Sequence, residues 1–121
     1  MKIAICSQAE NAQSTVDPRF GRAAYFAIFD DVADQWGFVP NSQNLQAAQG
    51  AGIQSAQTVI DAEVDVLLAS NVGPKAMAAL KANGVEVFKL DAEVTLEQAL
   101  TDYTGEKLIP MQQANVEGHW V

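Results

Sequence analysis

Apolar and polar positions in the first forty or so residues change over in short steps, the signature of strands rather than helices. Ile3 and Ile5 alternate with small partners until Ser7, giving a first strand over residues 2–6. Gln8 to Asp17 is polar and closes on Asp17-Pro18, so it reads as a loop. Residues 24–29, with Tyr25, Phe26, Ile28 and Phe29, and then Gln35 to Val39 lie on either side of Asp30-Asp31. Two β-prone runs around a polar turn predict an antiparallel hairpin. Asn41 to Gly52 has no period. Beyond it Ile53, Ala56 and Ile60 share one face at helical spacing, which predicts a helix from near Gly50–Gly52 to Ala62.

Val64 to Ala69 is apolar except for Asp65, as expected of a strand covered on both faces. Gly73-Pro74 opens a second helix, because proline needs no amide partner in a first turn. Ala76, Met77 and Leu80 form its buried stripe and Gly84 its C-terminal cap. Val85 to Leu90 alternates as a further strand. Thr95 and Gln98 have capping-box spacing ahead of Leu96, Ala99, Leu100 and Tyr103, and Gly105 ends that helix. Lys107 to Val121 shows no clear period.

The order βββαβαβα predicts an α/β fold, a mixed sheet of five strands with three helices. Right-handed crossovers place the fourth strand beside the first and the fifth outside it, for an order 3-2-1-4-5 with only strand 2 antiparallel. The loops at 7–23, 41–50, 70–74 and 91–94 then leave one carboxyl edge, where open α/β sheets bind ligands.

With 121 residues, 49% apolar and 18% charged, the chain can bury a core as one domain, expected over 1–108 with a tail over 109–121. A single cysteine excludes an internal disulfide. Fifteen acidic against seven basic side chains, a net charge of −8, oppose bulk binding to nucleic acid or anionic membrane. The longest purely aliphatic run, Val66 to Ala69, cannot span a bilayer, and the residues before Ser7 are too few for a secretory apolar segment. A cytoplasmic protein is expected.

The net charge conceals a local concentration: the only two arginines, Arg19 and Arg22, flank Phe20-Gly21. Two guanidiniums with Phe20 as an apolar wall suit an anion; alternatively they pair with carboxylates, Asp17 first, to order the loop. Gln49-Gly50-Ala51-Gly52 at a helix start lets backbone amides approach a negative ligand, although it is no Walker loop and lacks the third glycine of a dinucleotide fingerprint. Asn71 to Lys75, with Gly73-Pro74 at its centre, offers the same chemistry or a plain strand-to-helix turn.

Cys6 and His119 are the strongest candidate metal ligands, too few to close a four-ligand zinc site. A bound metal is therefore expected as a preformed anionic unit, held by charge and amides and touched by Cys6 or His119. No nucleophile elbow or triad accompanies the one histidine, so no catalytic residues are assigned. The element order resembles the ribonuclease H-like fold, whose nucleases hold magnesium on first-strand carboxylates. Lys2-Ile3-Ala4-Ile5-Cys6 has none, which excludes that chemistry.

Several segments carry a wider resemblance: the opening Met1-Lys2-Ile3-Ala4-Ile5, Asp17 to Phe26, Asn71 to Ala76 with Leu80 and Gly84-Val85 behind it, and Thr95 to Leu100. Together, over about residues 1–108, they resemble the dinitrogenase iron–molybdenum cofactor biosynthesis family. Ala47 to Gln54 and Ala114 to Trp120 resemble its orange-protein subgroup. The resemblance implies noncatalytic binding, carriage or storage of a metal–sulfur cluster, either an iron–molybdenum cofactor or precursor, or a noncovalently held molybdenum–copper–sulfur cluster. It also implies partners such as MinD-like ATPases or cofactor-assembly proteins. Many relatives carry a histidine-bearing segment where this chain reads Gln46 to Gly50, and a proline at position 6. Without a histidine before residue 119, the expected cradle is Arg19, Phe20, Gly21, Arg22, Gln49, Gly50, Ala51, Gly52, Asn71, Gly73, Pro74 and Lys75. The alternative is a metal-free interaction module whose rim and Trp120-bearing tail dock an ATPase or another partner.

Overall fold

The strand that the opening alternation predicts, β1 (Lys2–Ser7), is buried from Ile3 to Ser7 because both of its faces are covered. Ile3 and Ile5 pack into one apolar layer, Ala4 and Cys6 into the other. A computed structural model describes residues 1–41, 51–90 and 93–115. Antiparallel to β1 runs β2 (Tyr25–Asp30), with Ile3 opposite Phe29 and Cys6 opposite Phe26. β3 (Gln35–Pro40) closes the expected hairpin, pairing Asp30 with Gln35.

After α1 (Ala51–Asp61), β4 (Val66–Ala69) pairs parallel with β1, then α2 (Pro74–Ala82) leads to β5 (Glu86–Lys89), parallel to β4. α3 (Leu96–Thr104) follows. The mixed α/β sheet is as the pattern predicts, with one correction: it has six strands, not five. β6 (Ile109–Pro110) pairs antiparallel with β5, so the order is 3-2-1-4-5-6 and two strands, β2 and β6, oppose the rest.

α1 and α2 cover one face. Ala56 and Val59 from α1, and Ala76, Met77 and Leu80 from α2, pack on Ala4, Phe26, Leu67 and Val87. Leu96 and Ala99 of α3 cover Ile3, Ile5, Val66 and Leu68 on the other. The buried stripe of α1 differs from the expected one: Gly52, Ser55, Ala56 and Val59 face inward, while Ile53 is 44% exposed. The i, i+3, i+4, i+7 spacing is helical, but a glycine and a serine occupy half of it.

The helix ends follow local chemistry. Thr95 Oγ1 accepts the Gln98 N–H at 3.1 Å; the Gln98 side chain, however, donates to Asp102 Oδ1 at 2.8 Å, so only half of the capping box forms. Gly84 takes φ +75° just past α2, a left-handed value that a glycine adopts without strain. No helix among the described residues is long and apolar enough to cross a membrane.

Candidate functional site

The loops after β1 and β4 meet at the carboxyl edge. Asp17 N–H donates to the Cys6 carbonyl at 2.8 Å, turning the loop back over the end of β1. Arg19 then forms a parallel bridge with Asn71, and the Asn71 side chain donates to the Pro18 carbonyl at 2.9 Å. Val16 N–H donates to the Val94 carbonyl and Leu96 N–H to that of Ser14, so the segment entering α3 joins the same rim. Of the four loops expected at this edge, the one after β1 is thus bonded to the one after β4 and to the segment entering α3, while residues 42–50 and 91–92 lie outside the described residues.

Two buried polar side chains tie the arginine segment to the opposite side of the rim. Asn41 Nδ2 donates to the Ala23 carbonyl at 2.9 Å and to Ser55 Oγ at 3.1 Å, and Ser55 Oγ donates to the Gly21 carbonyl at 3.2 Å. Both residues are 0% exposed. They fix the backbone on both sides of Arg22 from the end of β3 and the second turn of α1. Asn115 performs the equivalent task beyond β6. Its Oδ1 accepts the Val72 N–H at 2.8 Å and its Nδ2 donates to the Ser70 carbonyl at 2.7 Å. Lys89 Nζ also donates to Ser70, at 3.2 Å, beside a shallow pocket of about 190 Å³ bordered by Pro18, Asn71 and Glu93. Asn41, Ser55 and Lys89 carry no motif, and Asn115 lies in the Ala114–Trp120 segment without being singled out there. The only hint for Asn41 is its place directly after Pro40 at a strand end.

The cations divide along the strand axis, and the exposed Glu10 and Glu93 share the carboxyl edge with the larger group. Arg19, Arg22, Lys75 and Lys89 stand at the carboxyl edge, whereas Lys2, Lys81 and Lys107 lie toward the amino edge. Asp17 is the buried carboxylate among the four cations: its Oδ1 accepts the Arg19 N–H at 3.0 Å and lies 3.9 Å from Arg19 Nε. Burial raises the Asp17 carboxyl above its ordinary value, against the lowering effect of the Arg19 amide and charge. The Arg19 side chain itself remains 54% exposed. Ion pairing with Asp17 and an exposed guanidinium thus coexist, which accommodates both readings of the motif.

The remaining candidates divide. Phe20 is fully buried, its ring 5.4 Å from that of Phe26, and contributes to the core rather than to the rim surface. Gly21 and Gly52 are buried, and Arg22 is half-buried. Cys6 lies in the same apolar cluster as Phe20; burial and the neighbouring Asp17 charge push its thiol far up, so it stays protonated. Gly73 caps α2 through its backbone and has no side chain to cap the first-turn amides, and Pro74 starts the helix. Lys75 is exposed on that turn, and Asn71 is half-buried. Ala51 begins α1. Gln49, Gly50 and His119 fall outside the described residues. Among the described residues no three His, Cys, Asp or Glu side chains come together to hold a metal ion.

Comparison with known proteins adds to this geometry. The family described as "Dinitrogenase iron-molybdenum cofactor" matches residues 1–106. The apo orange protein of Desulfovibrio gigas superposes with a TM-score of 0.90 at 34% identity, over 95% of this chain and 96% of that one. A NifB-like protein of the DUF35 family from Thermotoga gives a TM-score of 0.83 at 32% identity, over 97% and 98%. Among curated proteins no sequence matches.

Proposed function

The chain belongs to the dinitrogenase iron–molybdenum cofactor family, and on that premise we propose that it binds, carries or stores an anionic metal–sulfur cluster without catalysing turnover. The cargo in this reading contains molybdenum, of Mo–Cu–S or Fe–Mo–S type, and is held noncovalently at the carboxyl edge. Donor and acceptor are cofactor-assembly proteins, MinD-like ATPases among them.

The observation that carries the reading is the gathering of Arg19, Arg22, Lys75 and Lys89 on one edge of a protein of net charge −8. Such a patch attracts an anion that the rest of the surface repels. Chelation by carboxylates, thiols or imidazoles finds no support among the described residues. A cluster entering whole, with its metals already ligated by sulfide, needs no such ligands. Its sulfides are weak acceptors suited to several modest donors: the guanidinium of Arg19, the ammonium of Lys75 and the backbone amides at the start of α2, which the Gly73 cap leaves without a side-chain partner of its own. Asn41, Ser55, Asn71 and Asn115 act through the backbone, holding the loops that present those donors.

Reconstitution of the apo-protein with tetrathiomolybdate and copper tests this directly. The wild type is expected to keep a stable charge-transfer absorption through gel filtration. The Arg19→Ala, Arg22→Ala double variant is expected to bind about tenfold or more weakly, as for the loss of charged hydrogen bonds. No stable absorption in the wild type, or equal retention by the double variant, overturns the reading.

A further inference from the structure

The outer edge of β3 carries a second functional feature, independent of the cargo. Asn41 N–H donates to the Ala24 carbonyl, continuing the ladder in which Tyr25 faces Pro40 and Phe29 faces Trp36. Backbone bonding alternates along an antiparallel pair. Gln35, Gly37 and Val39 therefore spend their N–H and carbonyl groups on β2, and those of Trp36 and Phe38 point away from the sheet. No charged residue interrupts β3, although edge strands commonly carry one as protection; only Pro40, which lacks an N–H, blunts its end. The other edge, β6, is two residues long and includes Pro110.

Gly37 lies at the centre of this open segment. Its φ is not in the left-handed region, and a Cβ built there would meet nothing closer than the Ile28 carbonyl oxygen at 3.9 Å. Nothing among the described residues requires a glycine there, and a strand glycine weakens the strand. Beside it is a hollow of about 400 Å³ bounded by Ile28, Val39 and Ala62. On the opposite face Phe29, Trp36 and Phe38 form a half-buried aromatic row, with ring centroids 5.1 and 6.5 Å apart.

We propose that β3 pairs antiparallel with β3 of a second copy about a two-fold axis at Gly37, joining two six-stranded sheets into one. In this register Trp36 of each copy opposes Phe38 of the other. Both residues offer outward backbone groups, so each of the two Trp36–Phe38 pairs exchanges two hydrogen bonds, four in all. Their rings meet across the axis and extend the aromatic row, while Gly37 faces Gly37 at the closest approach of the two backbones.

Charge selects a second copy in this orientation. Asp30, Asp31 and Asp34 crowd the hairpin turn at the amino edge, and Arg22 stands two residues before Ala24, which pairs with Asn41 at the carboxyl edge. Antiparallel pairing sets Asp34 of one copy opposite Pro40 of the other. The acidic turn thus lies beside the partner's cationic edge, and the two acidic turns are kept at opposite ends. One strand per copy is a small interface, so the association is weak and reversible.

The test is sedimentation of the wild type and of two charge variants, Gly37→Glu and Gly37→Lys, with circular dichroism to verify the fold. Both substitutions fit the open space at Gly37. The wild type is expected to dimerise with a micromolar to submillimolar constant. Each variant alone is expected to dissociate roughly a hundredfold more readily, since like charges then face each other at the axis. An equimolar mixture of the two variants is expected to regain association as the mixed pair. A wild type monomeric to about 1 mM overturns the proposal. So does a dimer indifferent to both variants, or a mixture no more associated than its components.

Discussion

At the carboxyl edge Ser7, Ser14, Asp17, Asn41 and Ser55 are buried and bonded to loop backbone, whereas at the amino edge Asp31, Asp34, Asp61, Glu63, Asp65, Glu86 and Glu106 stand exposed. Those five are all of the buried polar residues described, and none lies at the amino edge. Bonds at the amino edge lie in exposed settings, both in short turns, such as Asp30 Oδ1 accepting the N–H groups of Val32 and Ala33, and across the chain, such as Asp65 Oδ2 accepting the Lys2 N–H at 2.9 Å. Burying a polar group is costly unless it is bonded, so polar burial marks the place where backbone must be held in one arrangement. The chain concentrates that cost beneath the cationic rim. The acidic edge supplies solvation and repulsion, which need no fixed geometry.

The strongest way to break this contrast is Asn41→Ala. It removes the donor to the Ala23 carbonyl and leaves Ser55 without its amide partner in a fully buried setting. The expected loss is about 2–4 kcal/mol in urea unfolding, against about 0.5 kcal/mol or less for Glu86→Ala at the exposed amino edge. Equal losses at the two positions would remove the distinction between the edges.

The same contrast explains what could be read along the chain. β1 to β5, α2 and α3 announce themselves because period and punctuation are local: Ile3 and Ile5, the Val66 to Ala69 run, Gly73-Pro74 and Thr95 each carry their own signal. The buried face of α1 does not, because Gly52 has no side chain to signal burial and Ser55 is inside with a hydrogen bond to the Gly21 carbonyl, not for hydropathy. β6 hides in two exposed residues, one a proline. Convergence of the rim loops follows from topology, but its stitches do not. Asn115 reaches Val72 across 43 positions and Asn71 reaches Pro18 across 53, and such pairs leave no local pattern. Phe20 reads as a wall between two arginines until tertiary packing turns it toward Phe26.

A smaller effect, of opposite sign, should appear at the amino edge. Asp34, Glu63 and Glu106 adopt φ of 56°, 60° and 59°, and they are the described non-glycine residues with positive φ. All three lie where the hairpin or a helix turns at that edge. Glu63→Gly relieves the left-handed strain just beyond α1 and is expected to stabilise by roughly 0.5–1 kcal/mol in thermal unfolding, after the glycine's greater unfolded-state entropy is counted. A loss of stability would show that the exposed carboxylate contributes more than its backbone costs. The carboxyl edge offers no such gain, since its described residues are free of this strain.

The finest distinction is between two aspartates that both accept backbone N–H bonds. Burial raises the Asp17 carboxyl above the ordinary 3.8, despite the Arg19 amide and charge. At Asp30 the amides of Ala33 and then Val32 dominate and lower it. A raised folded value means that the folded state holds its proton longer than the unfolded chain, so Asp17 withdraws stability as pH rises from 3.8 through that value. Asp30 does the reverse: its contribution is complete above 3.8 and is lost as pH falls through the lowered value. Asp17→Asn, which keeps an oxygen for the Arg19 N–H, should therefore gain on the wild type as pH rises from about 3 to about 7, and Asp30→Asn should lose ground over the same range. Urea unfolding across that range reads both slopes. Opposite slopes follow if burial governs Asp17 at the carboxyl edge and backbone N–H bonds govern Asp30 at the amino edge; parallel slopes would mean that the two aspartates sit in one environment and the edges differ only in shape.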